Sequence, residues 1–254
     1  MFTMTNEEVA NYHRDGVIIP SAPLGQSTLA EMQENLDRFL WAYDGDADFV
    51  PDVLKHDESW LKYASSPEIL EPLRQILGED IILWSSALFS KSAVGGKSTP
   101  WHQDGEYWPI RPLATVSAWI ALDDVDTENG CLRVIPGSHK KRELLPHQVD
   151  KSGEGVLNLK LSEADWNTAE PRDLVLKAGQ FSLHDVFMTH GAEANNSGRR
   201  RAGLVFRYMP ASALFDRALA QQMAESGKIG SSMQNRKLYL VSGEDTEGKN
   251  KIAC

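Results

Sequence analysis

The sequence predicts a mainly β fold with flanking helices, its strands forming a double-sheet jelly roll, and three observations carry that reading. Helical periodicity marks the outer segments of the 254-residue chain. The middle consists of short β-branched and aromatic runs bounded by Gly, Pro, Asn and Asp. Long excursions join these runs without a regular alternation of strand and helix, which argues against a parallel α/β sheet. With 41% apolar residues and no internal repeat, residues 1–254 are expected to form a single domain around one sizeable core.

Thr5-Asn6-Glu7-Glu8 fits a capping box opening a short helix through His13, which Gly16 ends before the strand-like Val17-Ile18-Ile19-Pro20. From Ser27, the residues Leu29, Met32, Leu36, Phe39, Leu40 and Tyr43 recur at helical spacing, giving an apolar stripe that should pack on a sheet. A third helix is expected over Pro67–Leu77, with Ile69, Leu70, Leu73, Ile76 and Leu77 inward and Gly78 as its stop. Residues 1–80 therefore read as a mostly helical flank. Strands are expected at 81–84, 116–122, 132–135, 180–183 and 203–208, within a jelly-roll core spanning 81–210. Gly95-Gly96, Glu128-Asn129-Gly130, Pro136-Gly137-Ser138 and Asn195-Asn196-Ser197-Gly198 mark turns. Residues 147–171 are polar and mixed, and read as an insertion at the border of a site in the core. Residues 211–254 are expected to hold one helix near 215–225 and a mobile polar tail that adds little to the core.

The charge balance narrows the function classes. A net charge of -10, from 26 basic and 36 acidic side chains, disfavours broad contact with nucleic acid or with anionic membrane surfaces. No apolar run approaches the roughly 20 residues that span a bilayer, and the first residues lack a basic flank followed by an apolar stretch. A soluble cytoplasmic protein is the expectation. Cys131 and Cys254 are the two cysteines; they imply no disulfide framework, and neither is needed for catalysis.

Chemistry concentrates in Trp101-His102-Gln103-Asp104-Gly105 and in Thr189-His190-Gly191 followed by Arg201. On an extended segment His102 and Asp104 would point to one side, where both can reach one ion. His190, arriving from a distant strand, would complete a two-histidine, one-carboxylate face with open positions opposite, the geometry of non-haem Fe(II) oxygenases. His184 is a competing candidate, since six residues before His190 it would share a face with it in an unbroken strand. Its neighbour Asp185 would then face away, so packing or support of the ligands is the better reading for His184. His139 follows a turn sequence and reads as a turn or hydrogen-bonding residue, while His13, His56 and His147 lack a partner motif and read as surface residues.

The WHQDG block, Trp119-Ile120-Ala121-Leu122-Asp123-Asp124, the stretch from Glu128 to Lys140 with its Pro136-Gly137-Ser138-His139, and His190-Gly191 with the later Arg200-Arg201 occur in one order. Together they resemble the phytanoyl-CoA dioxygenase family over residues 5 to 210. The resemblance implies a double-stranded β-helix (jelly roll, cupin-like) that binds Fe(II) and uses 2-oxoglutarate and O2 as co-substrates. It places the metal ligands at His102, Asp104 and His190. It places the guanidinium that grips the distal carboxylate of 2-oxoglutarate at Arg201, a task for which a planar fork suits better than a lysine. Arg200 is the alternative, although on a strand it would face the other way, and the run from Arg199 to Arg201 also has the look of a solvated turn. Trp119 matches a family tryptophan beside the cofactor, and Ser117 shares its strand parity, so both are expected to line the pocket; Trp101 and Trp108 read as core.

The implied reaction is oxidative decarboxylation of 2-oxoglutarate to succinate and CO2, coupled to hydroxylation of a substrate C–H bond. Related halogenases lack the carboxylate that Asp104 supplies, which favours hydroxylation here. Glu106-Tyr107-Trp108-Pro109-Ile110-Arg111-Pro112 follows the ligand pair directly and is expected to form the rim. Glu106, Arg111 and the aromatic surfaces would suit a small polar metabolite bearing an amine, carboxylate or phosphonate. No basic run suited to the phosphates of coenzyme A is visible. Two other classes remain open on sequence: a cupin-like isomerase or hydrolase using the same ligands without 2-oxoglutarate, and a non-catalytic metabolite-binding jelly roll.

Overall fold

Thr5 caps the first helix as its sequence requires. Its hydroxyl accepts from the Glu8 N–H at 3.2 Å while the Glu8 carboxylate accepts from the Thr5 N–H at 2.7 Å, closing a reciprocal cap on α1 (Asn6–Asp15). Gly16 ends α1 in the left-handed region at φ 78°, and a Cβ there would fall 2.4 Å from the His139 ring, so both backbone and space demand glycine. The structure is a computed structural model and describes residues 2–167, 169–227, 229 and 233–253. Cys254 lies outside the described residues.

After β1 (Val17–Ile18) comes α2 (Gln26–Ala42), whose Met32, Leu36 and Phe39 are buried as the stripe predicts. β2 (Val50–Pro51), α3 (Val53–His56), α4 (Leu61–Ala64) and α5 (Pro67–Leu77) complete the flank. Pro67 opens α5, Ile69, Leu70 and Leu73 are buried, and Gly78 follows its end. The strands are β3 (Ile81–Lys91), β4 (Thr99–Gln103), β5 (Ile110–Arg111), β6 (Val116–Ala121), β7 (Leu132–Val134), β8 (His147–Val149) and β9 (Leu159–Leu161). There follow α6 (Glu163–Trp166), β10 (Arg172–Leu174), β11 (Phe181–Asp185), β12 (Thr189–Ala192), β13 (Arg201–Pro210), β14 (Leu214–Phe215), α7 (Arg217–Glu225) and β15 (Tyr239–Ser242).

Two antiparallel sheets carry the jelly roll. The larger runs β1-β11-β6-β13-β3-β15, with β2 also paired to β3, and the smaller runs β10-β7-β12-β4. Alternation along the strands of the larger sheet separates its faces. Val116, Ala118, Ile120, Leu204, Phe206 and Tyr208 meet Met32, Leu36, Ile69 and Leu73 in the main core. Each Val, Leu, Ile, Met or Phe side chain among them contributes about 1.5–3 kcal/mol on full burial. Trp119, Arg201, Val205 and Arg207 take the other face and line a cavity.

The described residues after 210 contradict the expectation of a tail with little core. β15 extends the larger sheet on β3, and Leu238 is fully buried. Ile229, Met233 and Leu238 join Trp84, Trp108 and Phe215 in one apolar cluster. Asn250 accepts from the Phe215 N–H at 2.9 Å and donates to the carbonyls of Ala211 and Ala213. The polar composition hid this because a few well-spaced apolar residues and one bridging amide hold the segment. No helix among the described residues is long and apolar enough to cross a membrane.

Candidate metal centre and its cavity

The ladder between β4 and β12 sets His102 directly opposite His190. Their ring centroids are 4.1 Å apart. His102 Nδ1 lies 2.7 Å from the Pro100 carbonyl and His190 Nδ1 lies 2.9 Å from the Met188 carbonyl. A carbonyl only accepts, so each Nδ1 carries its hydrogen and each neutral ring presents the lone pair of Nε2 to the shared space. Burial, reinforced by the neighbouring His102 imidazole, pushes the His190 imidazole well below its ordinary range, which keeps it neutral.

Asp104 completes the cluster by a route different from the predicted extended segment. β4 stops at Gln103, and Asp104 is the first residue of a 3-10 turn, Asp104–Tyr107. The Gly105 N–H donates to the Val186 carbonyl at 3.1 Å and holds that turn. One ligand atom from each of His102, Asp104 and His190 lies within 4.8 Å of the others, and all three residues are buried. Burial alone would raise the Asp104 carboxyl. The adjacent His102, His184 and His190 imidazoles and the Arg207 guanidinium outweigh it and hold the group well below the carboxylate range. Two neutral imidazoles and one ionised carboxylate fit a borderline divalent cation such as Fe(II).

Around this cluster, Ser117 Oγ donates to Asp104 Oδ2 at 3.3 Å, and His184 Nε2 lies 3.7 Å from the same oxygen. His184 and His190 do not share a strand: β11 ends at Asp185, and the intervening turn carries β12 into the other sheet. Gln103, between the two predicted ligands, points away and ties down the following chain. Its amide donates to the Phe187 carbonyl at 2.9 Å and accepts from the Leu145 N–H at 2.7 Å. His147 is not the surface residue its isolation suggested. Its side chain is buried, and Nε2 accepts from the Gln103 N–H at 3.0 Å. The β8–β9 hairpin that begins at His147 explains this, because its Val156, Leu157 and Asn158 line the cavity, while Trp166 of α6 stacks on Trp101 with centroids 4.4 Å apart.

The cavity has a volume of about 560 Å³ and contains the faces of His102, Asp104, His190, Trp119 and Arg201. Arg201 is only 2% exposed, sits 5.4 Å from the Trp119 ring centroid, and its Nε has no hydrogen-bond partner among the described residues. Burial pushes its guanidinium down to about 10. Arg200 turns the other way, donating to both Asp123 oxygens at 3.0 Å and to Asp37 at 2.9 Å. Arg199 pairs with Asp126 and Glu128. Ser117 faces Asp104 rather than the open cavity. Burial raises the Cys131 thiol to about 11, in keeping with an inert core residue.

The rim differs from expectation. Tyr107 and Trp108 line the cavity, but Glu106 and Arg111 do not, because the 3-10 turn breaks strand alternation after Asp104. Arg111 is exposed and donates to the Ile110 carbonyl. The charged lining comes instead from Asp52, Arg207 and Arg236. Arg207 was legible in principle, since it shares strand parity with Arg201; Arg236 sits in the tail and left no signal.

The model of the family described as Phytanoyl-CoA dioxygenase (PhyH) matches residues 12–203. The bovine (Bos taurus) "Phytanoyl-CoA dioxygenase, peroxisomal" is 35% identical over 156 residues, which cover 58% of this chain and 45% of that protein. The "Probable alpha-ketoglutarate-dependent hypophosphite dioxygenase" of Stutzerimonas stutzeri is 32% identical over 152 residues, covering 58% of this chain and 52% of its own. The chain thus spans about half the length of these curated relatives. Among solved structures, the non-heme alpha ketoglutarate dependent carbocyclase SnoK from nogalamycin biosynthesis aligns with a TM-score of 0.70 at 22% identity over 95% of each chain, a likeness of fold.

Proposed function

The chain belongs to the phytanoyl-CoA dioxygenase (PhyH) family, and from that premise we propose that it is an Fe(II)- and 2-oxoglutarate-dependent dioxygenase hydroxylating a C–H bond of a small polar molecule. One observation carries the reading. A buried pair of tautomer-fixed imidazoles and a carboxylate share a cavity with Arg201, a buried guanidinium that lacks an acidic partner within hydrogen-bonding distance among the described residues. A cupin-like isomerase or hydrolase would have use for the first group and none for the second.

His102, Asp104 and His190 would hold the iron, three ligands suited to a borderline divalent cation. Bound iron with these co-substrates supplies the oxidising power that no side chain has. Arg201 would hold the distal carboxylate of 2-oxoglutarate, which its planar fork suits, and the Trp119 ring packs against that guanidinium. Ser117 and His184 hold Asp104 in the orientation that keeps one oxygen toward the metal. The apolar walls keep bulk water from the reacting centre. The Stutzerimonas relative is named for a small phosphorus oxyanion and the bovine one for a coenzyme A ester; the substrate class of this chain is argued from its own cavity below. The test is succinate release from Fe(II), 2-oxoglutarate and O2, with Arg201→Ala weakening 2-oxoglutarate binding. Turnover indifferent to both 2-oxoglutarate and Arg201 would refute the reading.

A further inference from the structure

β13 brings a second guanidinium into the cavity. Arg201 and Arg207 lie six residues apart on the same face of this strand, so at about 3.3 Å per residue their Cα atoms stand roughly 20 Å apart. They use different walls: Arg201 lies over Trp119, whereas Arg207 lies 5.2 Å from the Trp108 centroid. The five-carbon diacid held by Arg201 is therefore not the partner of Arg207.

Arg207 does not stand alone. Ser85 Oγ accepts from Arg236 at 2.7 Å and from Arg207 at 3.5 Å, so one hydroxyl sits between two guanidinium groups. A slip in the ladder produces this meeting, since Ser85 pairs with Arg207 and Leu83 with Tyr208, leaving Trp84 as an extra residue. Trp84 in turn carries Arg236 at 5.9 Å. Among the described residues the only carboxylate within ion-pairing distance of the two is Asp52, 3.4 Å from Arg236. Asp104 influences Arg207 through space but is committed to the metal cluster, and Arg207 Nε has no hydrogen-bond partner among the described residues. Two cations against one anion in a desolvated wall is a costly arrangement unless a ligand brings the missing negative charge.

We propose that Arg207 and Arg236, bracketing Ser85, form an anion subsite for the primary substrate, which is a small organic acid bearing a carboxylate or phosphonate separate from 2-oxoglutarate. The inference takes the cavity to be the substrate chamber of the oxygenase described above. Ser117, the register partner of Arg207, hydrogen-bonds Asp104, so the subsite adjoins the metal cluster from the neighbouring strand. Two forked donors around a hydroxyl can satisfy either a planar or a tetrahedral oxyanion.

The experiment is calorimetric titration of the full chain, both metal-free and loaded anaerobically with Fe(II) and 2-oxoglutarate, using propylphosphonate, butyrate and the neutral control butanamide. At least one acid should bind and the amide should not, and the preferred acid distinguishes phosphonate from carboxylate. Arg207→Met and Arg236→Gln should each weaken acid binding by about 10- to 100-fold. Both should leave 2-oxoglutarate affinity within about twofold, whereas Arg201→Gln should show the reverse pattern. The variants lie on separate segments, so misfolding of one leaves the other decisive. Absence of acid binding in the wild type, or binding lost only in Arg201→Gln, overturns the subsite. Failure to form an iron and 2-oxoglutarate complex while Arg207-dependent acid binding persists would remove the oxygenase reading and still support the subsite.

Discussion

His102 and His190 face each other across the β4–β12 ladder, and each gives its Nδ1 hydrogen to the carbonyl two residues earlier in the chain. The backbone thereby chooses the tautomer before any metal arrives. Replacing either histidine by alanine should lower Fe(II) affinity more than about 100-fold, beyond the loss typical of a supporting residue. Anaerobic Fe(II) titration measures this, and retention of stoichiometric iron in both variants would rule out the ligand assignment.

Arg201 and Arg200 should behave oppositely despite being adjacent. Arg201→Ala should raise the Kd for 2-oxoglutarate about 10- to 100-fold, and Arg201→Lys should recover little, because a point charge cannot reproduce the fork. Arg200→Ala should leave that Kd unchanged while costing about 1 kcal/mol of stability through loss of its pairs with Asp123 and Asp37. Binding titrations and chemical denaturation of both variants separate the two effects.

Arg207→Met should stabilise the substrate-free protein. With one ion-pairing carboxylate for two guanidinium groups among the described residues, an apolar side chain of similar length removes a buried charge while Asp52 keeps its pair with Arg236. Thermal unfolding without ligand should show a Tm no lower than wild type, together with lost turnover. A markedly lower Tm would show that Arg207 serves the fold and not a ligand.

Asp15 should make stability fall at acid pH. Hydrogen bonds from Arg14 and, against the opposing effect of burial, from Arg172 hold its carboxyl at about 2 rather than 3.8. The unfolded chain therefore binds the proton more readily, so the contribution is complete above about pH 4 and disappears as pH falls toward 2. With Arg14 61% exposed, its worth is about 1 kcal/mol after screening. Denaturation of Asp15→Asn should show that deficit at pH 7 and none near pH 2. An equal deficit at both would assign Asp15 a role independent of charge.

The grouping of His102, Asp104 and His190 was legible because metal chemistry needs particular residue types and the ordered blocks around His102 and His190 supplied them. The sheets were legible from β-branched and aromatic runs bounded by turn residues, as at β6 and β13. Where the sequence misled, local alternation had failed. The 3-10 turn at Asp104 rotated Glu106 and Arg111 out of the cavity, and the slip opposite Arg207 brought in Ser85. Arg236 and Asn250 act through long-range contacts with β3 and the β13–β14 turn, which no short window of a polar tail could reveal.

Anaerobic addition of 2-oxoglutarate to the chain carrying Fe(II) tests the centre most directly. A visible metal-to-ligand charge-transfer band should rise to one equivalent per chain, disappear in His190→Ala and require more 2-oxoglutarate in Arg201→Ala. A chain that takes up no iron, or that forms the same band without His190, would contradict the assignment of His102, Asp104 and His190 as the ligands.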